Sequence, residues 1–597
     1  MSKSKMRIGS ILLVVAMLMT LLPVGVFAAE GDSIIEVKGT GYTDWKAAVE
    51  AAKQADNADI ILLGELTLGM DDLQSLTALK SKVIIKAGAS LSLPNNLGGT
   101  EAWFGGEDAR MNIEQGSITL SGINDLTNGN CIWKLSENAI VSVPEGKTAF
   151  LQFAGSDTQT YGVKLEIASG AVLTVNGELK GVSGKGTAGS SVAVNGTLLV
   201  NGTMSVAKKA TASIESTGKL EVASGATLKV TANTDANNVT LVQGGQFVAA
   251  AGATVGTTDS YLKSSKGGNI VTYTDENGNQ IVENSGPIAA PEAKIGNEFY
   301  ENLDGQDGAL DKATDNATVI LLKDASIADG TAGNTIKANV TLVVPSNKKL
   351  TIDAKGANFL TSQGVLQINA GGSFVLPNST GQPETFVGAA SDGNARLQLA
   401  KGSLQFNMGE KALTLTAGSE ATVPTGKTTF LLMGLGDGTD ADKNKTALNA
   451  TIETGAKVTV ATGGILKAIS GNGEIGSQVT VKGILNVQGS MLVADKAQII
   501  LAQGGIMEVR NGAELTGATA VSGKVYVFDS ATTTNSKLNL NIGGEVYAET
   551  SELANDIVNA SIGILSKQTG SYAHDTATFQ HQYSVIIPDD GGSTTTP

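Results

Sequence analysis

At 597 residues with a formal net charge of −15 and only 4% aromatic side chains, this chain is too acidic to offer a basic surface to nucleic acid or anionic lipid. Its single cysteine, Cys131, excludes an intramolecular disulfide, so a packed core has to hold it together. The 74 glycines against 11 prolines argue many tight turns and exclude a proline-rich disordered chain.

Residues 1–28 read as a secretory signal peptide. Lys3, Lys5 and Arg7 form a positive start, residues 11–26 an apolar run, and Val26-Phe27-Ala28 a small-residue cleavage region. The expectation is a secreted, extracellular or cell-surface protein with no membrane segment after cleavage.

A first module is expected over 29–265. It begins with a strand at 34–37. Trp45, Ala48, Val49 and Ala52 then follow helical spacing, with Thr43 or Asp44 as N-cap. An apolar strand at 60–63 follows. From Ser81 to about Val255 the chain is a series of short alternating strands between Gly, Asn-Gly and Ser-Gly breaks, clearest over 169–230. None of these strands can bury its apolar face alone, and the units return about every 20-odd residues, as one turn of a solenoid with two or three strands per coil would. A cap helix is what the open end of such a stack needs.

Residues 266–292 read as a hairpin with Asn277-Gly278 at its tip, followed by a Pro/Ala linker. A second module over 293–530 repeats the first. VPTGKTTF (423–430) matches VPEGKTAF (143–150), VQGSM (487–491) matches VNGTM (200–204), and VRNGAEL (509–515) matches VASGATL (222–228). Order is preserved while the offset grows, which predicts one extra coil between 322 and 426. Gly305 and Gly308 interrupt the second cap helix, whose start is expected at Asp307. Residues 531–587 form a C-terminal cap and strand region. In it Leu553, Ile557 and Ile564 fall near helical spacing, and Phe579, His581, Tyr583 and Val585 alternate on one strand face. Residues 588–597 are a flexible tail.

The fold class this implies is all-β: two tandem right-handed parallel β-helix modules, each with an N-terminal helical cap. An antiparallel sandwich is the alternative, because Asn-Gly turns also signal hairpins. The segment EAKIGNEFYENL…ATVILLKDASI, and its diverged counterpart IIEVKGTGYTDWKAAVEAA…ADIILLGELTL, resemble the module opener of secreted Firmicutes surface proteins. There it leads into a right-handed β-helix of the pectate-lyase-like kind. The resemblance covers nearly the whole mature chain and implies a surface or adhesin-like protein.

No catalytic set of residues stands out. Asp71-Asp72 and Asp589-Asp590 are adjacent pairs, which on a strand point to opposite faces. Asp440, Asp442 and Asn444 alternate as Ca²⁺ ligands would, but Lys445 stands where the loop wants Gly and Thr451 where it wants Glu; a solvated insertion is the competing reading. His574 and His581 lack a third ligand for a metal. Asn195-Gly196 and Asn201-Gly202 read as turns in the left-handed conformation. Cys131 reads as a buried small hydrophobe, and Trp45, Trp103 and Trp133 as core or cap.

The resulting expectation is a non-enzymatic surface spacer, adhesin or matrix component without a cofactor. Its partners would be cell-surface polysaccharide or further copies of itself. Two alternatives stand beside it: a polysaccharide-binding or polysaccharide-cleaving pectate-lyase-like protein, and a self-assembling filament or surface-layer subunit. In the last case the strand carrying Phe579, His581, Tyr583 and Val585 would pair with a neighbour's edge.

Overall fold

The computed structural model describes residues 33–586 except 95–98, 129, 154–160, 185–188, 232–237, 257–261, 265–267, 328–334, 353–361, 378–381, 431, 434–445, 469–475, 495, 511, 517–518, 529–537, 542, 551–563 and 575–576. The leader expected at 1–28, the helical spacing at Leu553 and Ile557, and the tail at 588–597 lie outside the described residues. The chain divides into two compact units, Met1–Tyr273 with Asn277–Ala289, and Thr274–Glu276 with Ala290–Pro597.

The described chain is mostly strand, arranged in long sheets with parallel pairing. In the first unit the chain adds one strand to each of three sheets in turn. Lys164–Ile167, Ser191–Val194, Thr211–Ile214 and Val239–Leu241 pair successively in the first sheet. Val172–Val175, Thr197–Val200, Lys219–Val222 and Gln246–Ala249 do so in the second. Glu178–Gly181, Thr203–Val206 and Thr227–Val230 form the third. Inward residues stack in columns, Leu173 on Leu198 on Leu220 on Phe247, and Leu179 on Met204 on Leu228. All are buried. A slip of one residue would turn every such side chain to solvent, so the alternation itself fixes the register.

The second unit repeats this plan. Its second sheet runs through Lys457–Val460, Ile484–Val487, Ile506–Val509, Lys524–Val527 and Glu545–Ala548. Three strand pairs precede its irregular part, Thr318–Leu321 with Ala325–Ile327, Thr341–Val344 with Lys349–Ile352, and Val365–Asn369 with Ser373–Pro377. The first unit has two, Ile60–Leu62 with Glu65–Thr67 and Val83–Lys86 with Ser90–Pro94. The growing sequence offset is this added pair.

Uniformly parallel winding does not describe either unit. In the first, Ser117–Ser121 runs antiparallel to both Val83–Lys86 and Ile132–Leu135, and Thr100–Gly105 antiparallel to Ser90–Pro94. In the second, Ser403–Asn407 does the same between Val365–Asn369 and Ala412–Leu415, as does Pro383–Ala389 beside Ser373–Pro377. Period-two alternation is identical for the two pairing directions, so sequence pattern could not separate them.

The first cap helix, Trp45–Gln54, buries Trp45, Ala48, Val49 and Ala52, with the Asp44 side chain accepting from the Ala47 N–H at 2.8 Å. The second is one turn only, Ala309–Lys312, rather than a helix from Asp307. Gly305 and Asp307 both take positive φ, at 88° and 70°, which no right-handed helix accommodates. The hairpin Ile270–Thr274 with Gln280–Asn284 is bonded to Gln246–Ala249, and Val282 is buried in the first core. It closes the first unit instead of standing apart in a linker.

The Asn-Gly turns also differ from expectation. Gly196 and Gly202 are absent from the positive-φ glycines. A Cβ on Gly196 would stand 2.2 Å from the Ala171 carbonyl oxygen, and one on Gly202 2.2 Å from that of Gly177. Glycine is required there because adjacent coils bring their backbones into contact.

Candidate functional site

Two clusters rise above the Thr, Ser and Asn of the coil surfaces. The first occurs once in each unit, where the antiparallel reversal meets the first strand of the third sheet. Arg110 follows the reversed strand Thr100–Gly105, and its backbone N–H donates to the Ala102 carbonyl at 3.0 Å. Its guanidinium donates to Glu101 Oε2 at 2.6 Å and lies 5.0 Å from the Trp103 ring and 5.1 Å from that of Phe150. Phe150 ends Thr148–Phe150, the first strand of the third sheet. Lys180, opposite it in register, places Nζ 5.2 Å from the same ring.

The second unit rebuilds this arrangement. The Arg396 N–H donates to the Thr385 carbonyl at 3.0 Å, and its guanidinium grips Glu384 with Nε to Oε1 at 2.8 Å and a second nitrogen to Oε2 at 2.6 Å. The Arg396 carbonyl accepts from Thr429 Oγ1 at 2.6 Å, on the strand Thr428–Phe430 that starts the third sheet here. The arginine side chains are only 16% and 13% exposed. Hydrogen bonds from Arg110 and Arg396 hold the Glu101 and Glu384 carboxyls below the usual range, with Lys147 and Lys427 adding to the effect. A carboxylate held ionised in this way accepts hydrogen bonds and is poorly suited to act as a general acid near neutral pH. In chemical terms the cluster is a clamp over a sheet edge.

The second cluster lies on the outer face of the second unit's second sheet. Tyr526 and Tyr547, on neighbouring strands, stack with centroids 5.1 Å apart, and Tyr572 from the C-terminal hairpin lies 3.9 Å from Tyr526 with planes 8° apart. His581 meets Tyr547 at 4.6 Å. Beside the rings, Arg510 donates to Glu508 Oε2 through two nitrogens at 2.9 and 2.5 Å and lies 4.5 Å from the Phe528 ring. Glu508 is fully buried. Tyr547 donates to Glu545. Burial, then the neighbouring carboxylates, push the Tyr526, Tyr547 and Tyr572 hydroxyls above the usual tyrosine range. Burial pulls His581 below the usual histidine range.

The strand carrying the sequence-derived interaction candidates is Ala577–Ile586. It lies between Glu545–Ala548 and Ile564–His574, so among the described residues the edge strand of that sheet is Ile564–His574 instead. His581 and Val585 are buried and Tyr583 is half-buried. Phe579 pairs in register with Tyr572, and its side chain lies outside the described residues. Asp440, Asp442 and Asn444 also lie outside them. Asp71 and Asp72 open the helix Met70–Thr77, where the Asp72 carboxylate accepts from the Gly69 N–H at 3.2 Å and serves as a helix cap. Cys131 is buried, which pushes its thiol up to about 12. Trp103 and Trp133 meet edge-on at 6.0 Å inside the first core. Among the described residues, no three His, Cys, Asp or Glu side chains converge as a metal site would require.

Sequence reading missed both clusters. The scarcity of arginine was visible, but Glu101 precedes Arg110 by nine residues and Glu384 precedes Arg396 by twelve, so unequal loops hid the correspondence. In comparisons with known proteins, no family model and no curated protein matches the chain. Among solved structures, the TibC-catalysed, hyper-glycosylated TibA55-350 fragment aligns at 12% identity over 69% of this chain and 89% of that one, with a TM-score of 0.14, which does not establish a common fold.

Proposed function

We propose that this protein is a secreted structural β-solenoid, built as two tandem right-handed modules with helical N-terminal caps, that serves as a cell-surface spacer, adhesin or matrix component. The observation that supports it is the unbroken register of the inward columns, Leu173 to Phe247 among them, beneath an outer face of small polar and ion-paired side chains. Such a stack gives length and rigidity from short repeats, because each coil needs only its neighbours to bury its apolar face. Right-handed winding follows the general preference of twisted parallel strands. The closing hairpin at the end of each unit covers a last coil that would otherwise present an open edge.

Cell-surface polysaccharide or further copies of the chain are the partners this role implies. Immunogold electron microscopy of the producing cell and its secreted fraction tests it. Label on the surface or in extracellular matrix is the expected result. A wholly soluble monomer that cleaves uronide polysaccharides would replace the structural reading with the enzymatic one, and ordered lattices or filaments would replace it with self-assembly.

A further inference from the structure

The two cores share a frame, and strand register matches them residue by residue. The segments VPEGKTAF (143–150) and VPTGKTTF (423–430) anchor the correspondence. Trp133 pairs with Leu165 as Leu413 pairs with Ala450. Val141 pairs with Leu173 as Ala421 pairs with Val458. At all four places the second unit carries the smaller side chain: Leu for Trp, Ala for Leu, Ala for Val and Val for Leu. The next inward places keep their size. Leu135 and Ile167 correspond to Leu415 and Ile452, and Leu179 to Leu466. Thr429 in place of Ala149 runs the other way, by a hydroxyl and a methyl.

The four reductions converge on one point. A cavity of about 40 Å³ opens between Leu413, Ala421, Ala450 and Val458, with Leu466 and Thr429 on its third-sheet side. Ala450 and Val458 each keep 9% of their surface open, where Leu165 and Leu173 keep none. The Thr429 hydroxyl is committed to the Arg396 carbonyl at 2.6 Å. A lining of this kind offers a water molecule few of the two to four polar partners it needs, so the space favours an apolar occupant.

We propose that this cavity is a binding site for one small apolar molecule, of the size of a xenon atom or a short hydrocarbon. Its volume exceeds the share of one water in the liquid, about 30 Å³, and falls well short of the apolar cavity of about 150 Å³ that takes benzene. A ring-sized ligand would have to force the core apart, and a xenon-sized one would not. An atom seated there regains the dispersion contacts that the lining side chains have lost across the gap. Size and the lack of polar partners set the selectivity. The site belongs to the second unit alone, because the first fills the matching space with its own Trp133 and Leu165. This goes beyond a spacer role, which needs the core only to be packed.

Methyl-detected NMR of the full chain under xenon pressure tests the site. The methyl signals of Leu413, Val458 and Leu466 should shift with pressure and level off, while those of Leu165, Leu173 and Leu179 at the matching places stay where they are. Ala450→Leu installs the first unit's side chain and should reduce the shifts several-fold. Ala421→Val, which also installs the first unit's residue, replaces it as the test should the larger change disturb the fold. Shifts that are absent, or that rise alike in both units without levelling off, overturn the proposal. So do saturating shifts that keep their full size in the filled variant.

Discussion

Arg396 closes on Glu384 through two parallel N–H···O bonds of 2.8 and 2.6 Å, and Arg110 holds Glu101 at the same place in the other unit. Both pairs sit where the chain reverses direction and the third sheet begins. Among the described residues the first strand of that sheet lies at its edge, and in the first unit the Arg110 guanidinium sits beside Phe150 on that strand. The arginine pairs therefore tie each reversed strand to the place where the third sheet starts.

The clamp should contribute to stability beyond an ordinary surface ion pair, because the guanidiniums are largely covered and that of Arg110 also packs on aromatic rings. Replacing Arg396 by Ala is expected to cost about 1–2 kcal/mol, toward the lower end for a hydrogen-bonded charge since Glu384 retains solvent contact. Arg396→Lys should recover only part of this, as a point charge cannot reproduce the fork. Urea unfolding measures both. A midpoint unchanged in Arg396→Ala would reduce the clamp to an ordinary surface pair.

Acid should weaken the same contacts. The Glu101 and Glu384 carboxyls are depressed in the folded state, so the unfolded chain binds protons first as pH falls. Their contribution is present in full above the unfolded carboxylate value of about 4.3 and is lost as pH drops through the folded values. Unfolding midpoints taken from neutral pH down to about pH 3 should fall more steeply in the wild type than in a double Arg110→Ala, Arg396→Ala variant. Parallel slopes would assign the acid sensitivity to other groups.

What sequence made legible follows from how each feature is encoded. The columns Leu173–Leu198–Leu220–Phe247 were readable because period-two alternation fixes which face is buried. The Trp45–Gln54 helix was readable because its apolar spacing and its Asp44 cap coincide. The added coil of the second unit emerged from internal comparison alone. Strand direction around Ser117–Ser121 did not, since alternation carries no sign of direction. Nor did the aromatic cluster of Tyr526, Tyr547, Tyr572 and His581, whose members come from two neighbouring strands and the C-terminal hairpin. The reason for glycine at 196 and 202 was misread, because a close approach between coils has the same local sequence as a left-handed turn.

The two cores differ in packing at equivalent places. An apolar cavity of about 40 Å³ in the second unit is lined by Leu413, Ala421, Ala450 and Val458 among others. The corresponding strands of the first unit place Trp133 opposite Leu165 where the second places Leu413 opposite Ala450. Smaller side chains in the same frame leave the gap. Ala450→Val should fill part of it and stabilise the second unit by about 1 kcal/mol, whereas Leu165→Ala should open a new cavity and cost about 3 kcal/mol. Thermal unfolding distinguishes the signs, and a lowered midpoint for Ala450→Val would mean that the gap is too shaped to accept a branched side chain.

Gly202 offers the sharpest test of the stacking itself. A Cβ at this position would lie 2.2 Å from the Gly177 oxygen and 2.3 Å from that of Asn176, both on the preceding coil. Those atoms are backbone, held in place by the Gly202 N–H to Val175 bond of 2.8 Å and the Thr203 N–H to Gly177 bond of 2.9 Å. Relief of the clash therefore requires the coils to separate locally and those bonds to lengthen. Gly202→Ala should cost about 2–3 kcal/mol, an overpacking penalty rather than a helix-propensity effect. Gly225 is the control: its φ is +79° and nothing lies within 4 Å of a Cβ there, so Gly225→Asn should be tolerated with a loss of only about 1 kcal/mol. Equal losses in the two variants, read from urea midpoints of the full chain, would mean that backbone conformation and not contact between coils sets the need for glycine.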